Sequence, residues 1–433
     1  MDYGIGDGLT DPSQSRTARG DGFPRNVQSE ASSQNASGSD SAAHERFREN
    51  RHFGSLDGLR ALSILAVIGL HCNLANSSLF HTGEYGVALF FAISGFLITT
   101  LLLRESDRTG SISIRDFYIR RALRIFPLYY GVLILYVVLS FVVARHTEAG
   151  REFFADLPFF LTYTSNWFVV LSLTHHTIFY FAWSLAKEEQ FYLVWAPVMT
   201  VSRNRLQPVL VIAGIMLANL LLHTADDLGW IHLTDLTLRM IDSLPPTICI
   251  GSLLAFVLNS RRGFNTVWPV LGRRWFAPAA LALVVLTVQY SDSQIVIALT
   301  MAALVGTVCI REDNGLRPLL AHPVICHIGM VSYGVYLLQM LAINVTSRLH
   351  HAHDWTFFFL ATFLSVAVST LSYYYYEMRF LRLKGRFTRK ARLPVAAAAN
   401  DDAPVGAVSK IADRHIWRQR EGEPEPQEPA ANR

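Results

Sequence analysis

The chain has 433 residues, of which 51% are hydrophobic and only 17% are charged. Soluble domains carry nearer a quarter of charged residues, so the composition argues against several soluble domains and favours one polytopic membrane domain. The net charge of +4 is small, and Lys and Arg lie at the ends of apolar segments. This pattern indicates membrane orientation and not nucleic-acid binding.

The two ends of the chain are polar. Residues 1–50 and 386–433 are rich in small, charged and Pro residues and poor in large apolar ones. Such segments cannot bury enough apolar surface to offset the entropy of ordering, so both are predicted to be disordered tails. Residues 51–385 are predicted to form one all-α membrane domain.

Ten apolar runs predict about ten transmembrane helices, with both tails cytoplasmic. A further run near 153–172 is left out, because including it would export the most basic tail, and residues 145–187 are then an extracytoplasmic loop or re-entrant segment. The predicted spans are approximately 56–76, 84–103, 122–143, 188–202, 207–223, 240–259, 275–290, 294–310, 326–346 and 355–377.

The first span carries Arg60 and, three helical turns later, His71. Both side chains point to the same side of a helix, roughly 16 Å apart along its axis. Titratable groups inside a membrane are costly and often functional, so this face could hold a long anionic cofactor and supply a base. The alternatives are that Arg60 pairs with Asp57 or snorkels, and that His71 is a packing residue.

The second span contains Ser94 and Gly95 within an apolar stretch. Small residues allow helices to approach closely, so packing is the favoured interpretation of both. Ser94 could also act as a nucleophile, although no base is close to it in the sequence.

Three arginines precede the third span at positions 120, 121 and 124. Arg120, Arg121 and Arg124 are predicted to lie on an amphipathic cytoplasmic helix. Arginine clusters bind phosphate through paired hydrogen bonds, but they also anchor helices at anionic lipid headgroups.

The fourth predicted span begins near WSLAKEEQFYL, residues 183–193. Ser184 could cap the helix, with Glu188 and Glu189 in its first turns, where negative charge is favoured. The two acids could instead orient His71 or accept hydrogen bonds from a hydroxylic substrate. Three aromatic residues of the segment could form a platform or an interfacial belt; they are Trp183, Phe191 and Tyr192.

Polar groups also lie in a later span, within VSYGVYLLQM at residues 331–340. Tyr333 and Tyr336 are predicted to share one helix face, and Gln339 lies deeper in the span. Hydrogen bonding between helices explains these residues at least as well as catalysis does. No pair of polar residues has the spacing of a metal site, so none is predicted.

Five motifs in this order resemble the acyltransferase-3 family of bacterial integral-membrane O-acyltransferases. They span roughly residues 52–385 and consist of the Arg60–His71 spacing, FFAISGFLI (90–98), RRALRIFPLYY (120–130), WSLAKEEQFYL (183–193) and SYGVYLL (332–338).

The resemblance implies ten helices in the bacterial inner membrane and transfer of a small acyl group, such as acetyl, from cytoplasmic acyl-CoA. The acceptor would be a hydroxyl of a glycan or a glycan-like molecule. His71 would be the catalytic base, with Glu188 and Glu189 holding the site or the acceptor. The donor's phosphates would be engaged, or its channel shaped, by Arg60, Arg121 and Arg124, with Arg120 also near the phosphates.

The chain departs from the family pattern at Ala88, at Gln339 and at the end of the last span, where it reads Glu377-Met378-Arg379-Phe380. These positions bear on acceptor choice and leave the Arg60–His71 pair intact. A transporter or flippase of a glycan or lipid is the alternative function. It would account for the helices and buried polar groups, but it does not require Arg and His on one face.

Overall fold

The computed structural model describes residues 42–50, 52–73, 82–169, 178–352 and 354–387, and all regular secondary structure in these ranges is helical. The first half contains α1 (42–49), α2 (Gly54–His71), α3 (Tyr85–Thr109), α4 (Ile114–Leu139), α5 (Glu148–Leu161), α6 (Ser165–Phe168), α7 (Ala182–Val201) and α8 (Leu206–Asp227). The second half contains α9 (Asp235–Ile241), α10 (Pro246–Asn259), α11 (Arg261–Leu271), α12 (Phe276–Tyr290), α13 (Gln294–Ile310), α14 (Arg317–Leu320), α15 (Pro323–Met330), α16 (Ser332–Leu349) and α17 (Trp355–Ser372).

Each of the ten predicted apolar runs coincides with a helix or a helix pair, and the chain is an integral membrane protein. Within the described ranges, six helices are long and apolar enough to cross a membrane, or up to eight if each of two bent pairs is one span. The predicted count of ten is therefore not confirmed. The run 326–346 is broken into α15 and α16, which are bent by 79° relative to each other.

The prediction of disorder is wrong for the last part of the N-terminal segment. Helix α1 buries Phe47, which is 2% exposed and lies against the ring of Phe264. The guanidinium of Arg104 on α3 donates hydrogen bonds to the carbonyls of Phe47 and Asn50, at 2.7 and 2.5 Å. These contacts fix the segment to the bundle. Residues 1–41 and 388–433 lie outside the described ranges.

Helices α3 and α10 pack closely against each other. A Cβ atom added to Gly95 would overlap the carbonyl oxygen of Ile248, and one added to Gly251 would overlap that of Ala92. Backbones approach this closely only where side chains are absent. The packing interpretation of Gly95 is therefore confirmed.

The start of α7 differs from the expected cap. The helix begins at Ala182, without a side-chain cap, so Ser184 lies inside its first turn. Its hydroxyl group shares a 2.6 Å hydrogen bond with that of Tyr336 on α16 and donates to the Phe181 carbonyl. The prediction that Ser184 caps the helix is wrong, because its hydroxyl is hydrogen-bonded to Tyr336 of α16. Glu188 and Glu189 lie in the second turn.

Candidate active site

Five helices line a partly open cavity of about 100 Å³. The helices are α2, α3, α4, α7 and α16, which contribute both apolar and polar side chains to its wall. The polar residues of this basic cavity, as we call it below, are Arg60, Ser94, Arg121, Arg124, Ser184, Glu188, Ser332, Tyr333 and Tyr336.

Arg60 both pairs with Asp57 and lines the basic cavity, the two roles that its position in the sequence suggested. Its guanidinium lies 2.9 Å from the Asp57 carboxylate, one turn earlier on α2, and it also lines the basic cavity. The ion pair fixes the side chain beside the cavity. Only part of the guanidinium's hydrogen-bonding capacity is used by this pair, since a guanidinium has five N–H donors.

Arg124 is the most accessible cation of the basic cavity. Its side chain is exposed and lines the cavity. It makes no ion pair or hydrogen bond with another described residue, and it is close enough to Arg60 and Arg121 for their charges to repel its own, and to Asp57 for that charge to attract it. An arginine with neither an ion pair nor a hydrogen bond to a described residue is suited to bind an anion.

Arg121 and Arg120 have different surroundings. The guanidinium of Arg121 lies over the ring of Tyr192, 4.4 Å from its centre, and lines the basic cavity. Arg120 instead pairs with Glu105 at the end of α3, at 2.7 Å, and donates to the carbonyl of Phe387, also at 2.7 Å. Arg120 thus holds helices together and is not brought into the cavity.

Glu188 lies in the wall of the basic cavity and is hydrogen-bonded to two neighbouring hydroxyls. Its carboxylate accepts hydrogen bonds from the hydroxyls of Ser94 on α3 and of Tyr192 one turn later on α7. Ser94 thus lies against a base, which the sequence did not reveal because the two residues are far apart along the chain. Glu189 is beside Glu188 in the sequence, but it does not line the basic cavity.

Tyr333 and Tyr336 both line the basic cavity, which confirms that they share a face. The hydroxyl of Tyr333 donates to the carbonyl of Ile125 at 2.8 Å, so it joins α16 to α4. Ser184 and Ser332 are further lining residues that had no predicted role in a site. Ser184 belongs to the WSLAKEEQFYL motif, and its spacing of four from Glu188 is the signal that places both on one face.

Two other predicted residues lie away from the basic cavity. Trp183 packs edge-on against Phe91, with ring centres 6.5 Å apart, and the ammonium of Lys187 lies 5.3 Å from its centre. Gln339 is fully buried on α16, and neither polar atom of its amide has a hydrogen-bond partner among the described residues.

His71 is the last residue of α2, eleven positions after Arg60. It is half-buried, its Nδ1 atom lies 2.8 Å from the carbonyl oxygen of Val67, and its ring centre lies 6.0 Å from that of Tyr180. A carbonyl oxygen can only accept, so Nδ1 carries the proton of the neutral ring and Nε2 keeps a free lone pair. Residues 74–81, which follow His71 closely, are outside the described ranges.

His71 does not line the basic cavity, and Arg60 is the residue that α2 contributes to its wall. Val87 of α3 also lies in the cavity wall, and its neighbour Gly86 packs directly against Ser63 and Val67 of α2. This contact places Val87 beside the second half of α2, the half that ends at His71.

Comparison with known proteins identifies the family. The family model described as an acyltransferase domain matches residues 53–374. The peptidoglycan O-acetyltransferase OatA of Listeria monocytogenes serovar 1/2a is 28% identical over 334 residues, which are 69% of this chain and 50% of that protein. The putative peptidoglycan O-acetyltransferase YrhL of Bacillus subtilis is 28% identical over 370 residues, which are 77% of this chain and 56% of that protein.

A putative O-acetyltransferase of Staphylococcus aureus strain COL is 26% identical over 360 residues, 77% of this chain and 58% of that protein. The chain thus spans little more than half the length of the curated relatives it matches. No solved structure matches it. Because the family model covers well over half of the sequence, the resemblance predicted from the five motifs is confirmed, and the chain belongs to the acyltransferase-3 family.

Proposed function

We propose that this chain is a membrane O-acetyltransferase that moves an acetyl group from acyl-CoA to a hydroxyl of a glycan, with His71 as the general base. The observation that carries the proposal is the convergence of Arg60, Arg121 and Arg124 on one cavity. Family membership supplies the reaction class, and the relatives' names support acetyl as the group transferred.

The arginines would bind the phosphates of the donor. Arg124 is accessible and without a partner among the described residues, and Arg60 retains free N–H donors. Phosphate oxygens accept such charge-assisted hydrogen bonds strongly. The cavity wall beyond the arginines is partly apolar, with Val87, Phe90 and Phe91, and would accommodate the uncharged arm that carries the thioester.

His71 would remove the proton of the acceptor hydroxyl through Nε2 while the hydroxyl oxygen attacks the thioester carbonyl. The new C–O bond forms as the C–S bond breaks, and the protonated ring returns the proton to the departing thiolate. The hydrogen bond from Nδ1 to Val67 supports this role, since it holds the ring in the tautomer that leaves Nε2 basic.

The acceptor would be a sugar hydroxyl of peptidoglycan or of another surface glycan. The printed names of two relatives specify peptidoglycan, and the hydroxyl of Ser332 in the cavity wall could hydrogen-bond to a sugar. We further propose that the protein resides in the bacterial inner membrane, with both termini and the donor on the cytoplasmic side.

The test is acetyl transfer by the purified protein in liposomes, with [¹⁴C]acetyl-CoA and peptidoglycan fragments as acceptor. The proposal predicts labelled, base-labile ester on the glycan in the wild type and little in His71→Ala. A transporter would move the glycan across the bilayer without forming ester. Movement without ester, with His71→Ala unchanged, would therefore exclude the acetyltransferase proposal.

A further inference from the structure

Three side chains near the start of α7 form a patch to which the proposed acetyl transfer assigns no role. Trp183 and Lys187 lie one helical turn apart on α7, and Asp242 directly follows α9. The ammonium of Lys187 lies 5.3 Å from the centre of the Trp183 ring. None of the three residues lines the basic cavity. We call them the Trp183 patch.

Lys187 is a half-buried cation that makes no ion pair or hydrogen bond with another described residue. Its charge is close enough to that of Asp242 for the two to attract each other, although they form no ion pair. The Asp242 carboxylate instead lies 2.9 Å from Nε2 of His223, and 48% of its side chain remains exposed. A half-buried charge is costly in a membrane protein unless it is partnered. A polar ligand between the ammonium and the carboxylate would therefore stabilise both.

A hydrogen-bond network holds the acidic side of the Trp183 patch against α7. The amide of Asn166 on α6 donates to the side-chain oxygen of Gln190 on α7 and to the hydroxyl of Ser243, both at 3.1 Å. Ser243 directly follows Asp242 in the chain. The network therefore fixes the backbone that carries Asp242 relative to the helix that carries Lys187, and the two charges are in place before a ligand arrives.

The Trp183 patch adjoins both proposed parts of the reaction site. The Trp183 ring packs edge-on against Phe91, which lines the basic cavity. The backbone amide of Trp183 donates to the carbonyl of Tyr180 at 3.3 Å, and the Tyr180 ring centre lies 6.0 Å from that of His71. One aromatic ring thus separates the patch from the cavity, and one residue links it to the proposed base.

The chemistry of the Trp183 patch fits an uncharged sugar. Lys187 offers three N–H donors, Asp242 offers acceptors, and together they carry no net charge. Sugar hydroxyls both donate and accept hydrogen bonds, whereas an anion would be repelled by the carboxylate. The apolar face of a sugar ring packs well on an indole ring.

We propose that the Trp183 patch binds a sugar ring of the acceptor glycan, with the ring on Trp183 and its hydroxyls on Lys187 and Asp242. The inference rests on the proposed function for the identity of the acceptor. The experiment uses the full-length purified protein in detergent, with soluble peptidoglycan fragments as the probe. Thermal unfolding with fragments and no acetyl-CoA measures glycan binding, and steady-state transfer measures KM for each substrate.

Lys187→Met is the first variant, because it keeps the length of the side chain and removes only the charge. Without ligand it should unfold at the same or a higher temperature than the wild type. The apparent Kd and the KM for the glycan should rise roughly tenfold or more, as on losing a hydrogen bond to a charged group. KM for acetyl-CoA should not change. Asp242→Asn should shift the glycan constants in the same direction.

The ring is tested by Trp183→Leu, which should raise both glycan constants roughly 2- to 12-fold, and by Trp183→Phe, which should raise them less. The matched control is Trp275→Leu, an exposed tryptophan just before α12, and should change neither constant. Glycan binding without ester formation in the wild type would reject the proposed acetyl transfer and support the sugar site. The proposal is overturned if the wild type shows no saturable stabilisation, or if Lys187→Met leaves the glycan constants unchanged.

Discussion

The guanidinium of Arg121 lies 4.4 Å from the centre of the Tyr192 ring, and the hydroxyl of that ring donates to Glu188. Tyr192 therefore contacts a cation of the basic cavity through its ring and a carboxylate of the same cavity through its hydroxyl. The ring is buried, and its contact with Arg121 fixes where the guanidinium points.

We predict that Tyr192→Leu impairs donor binding more than Tyr192→Phe. Phenylalanine keeps the ring beneath Arg121, whereas leucine removes it. A cation–π contact contributes about 0.5–2 kcal/mol, so KM for acetyl-CoA should rise roughly 2- to 30-fold in the leucine variant alone. Steady-state kinetics of both variants, with unfolding temperatures as the folding control, check this. Equal KM values would show that the ring does not position Arg121.

The contact between α3 and α10 leads to a stability prediction. Gly95→Ala places a methyl group against the Ile248 carbonyl, and overpacking of this kind costs about 1–3 kcal/mol. The matched control is Gly214→Ala on α8, where nothing lies within 4 Å of the new Cβ atom. The control should be neutral or slightly stabilising, because alanine favours the helix. Unfolding in detergent measures both, and a neutral Gly95→Ala would contradict the packing described here.

Removal of the His71 imidazole is predicted to affect catalysis and not folding. His71→Ala should lower kcat by about 10²- to 10⁴-fold, the usual contribution of a general base. The control is His322→Ala, since His322 is an exposed histidine away from the basic cavity. Acetyl transfer to peptidoglycan fragments measures both variants. Wild-type turnover in His71→Ala would remove the imidazole from the mechanism.

Much of this arrangement could be predicted from the sequence, because helical periodicity is local. The ten apolar runs locate helices, and the spacing of Tyr333 and Tyr336 places both on one face, as the cavity confirms. Arg60 and His71 fall on a single helix, which begins at Gly54 and ends at His71. The family resemblance predicted that Arg121 and Arg124 lie near Arg60, because it assigns all three residues to the donor.

The remainder depended on contacts between distant segments. The pairing of Ser94 with Glu188 and that of Arg120 with Glu105 need the packed structure, since each joins two helices. The break between α15 and α16 is likewise invisible in a continuous apolar run. At this break, Gly329 lies directly against the Asp57 carbonyl of α2. A straight helix with an ordinary side chain at position 329 would not make this contact.

The central claim is that the basic cavity receives the phosphates of the donor, and truncation of the donor tests it most directly. The measurement is kcat/KM of Arg124→Gln with acetyl-CoA and with S-acetyl-pantetheine, which has no phosphate. The control is Arg115→Gln, an exposed arginine near the start of the same helix.

Arg124→Gln is expected to lose roughly 10- to 150-fold of kcat/KM with acetyl-CoA, the value of one or two charge-assisted hydrogen bonds. Little change is expected with S-acetyl-pantetheine, and no change in Arg115→Gln with either donor. An equal loss with both donors, or wild-type activity of Arg124→Gln with acetyl-CoA, would show that Arg124 does not bind the donor's phosphates.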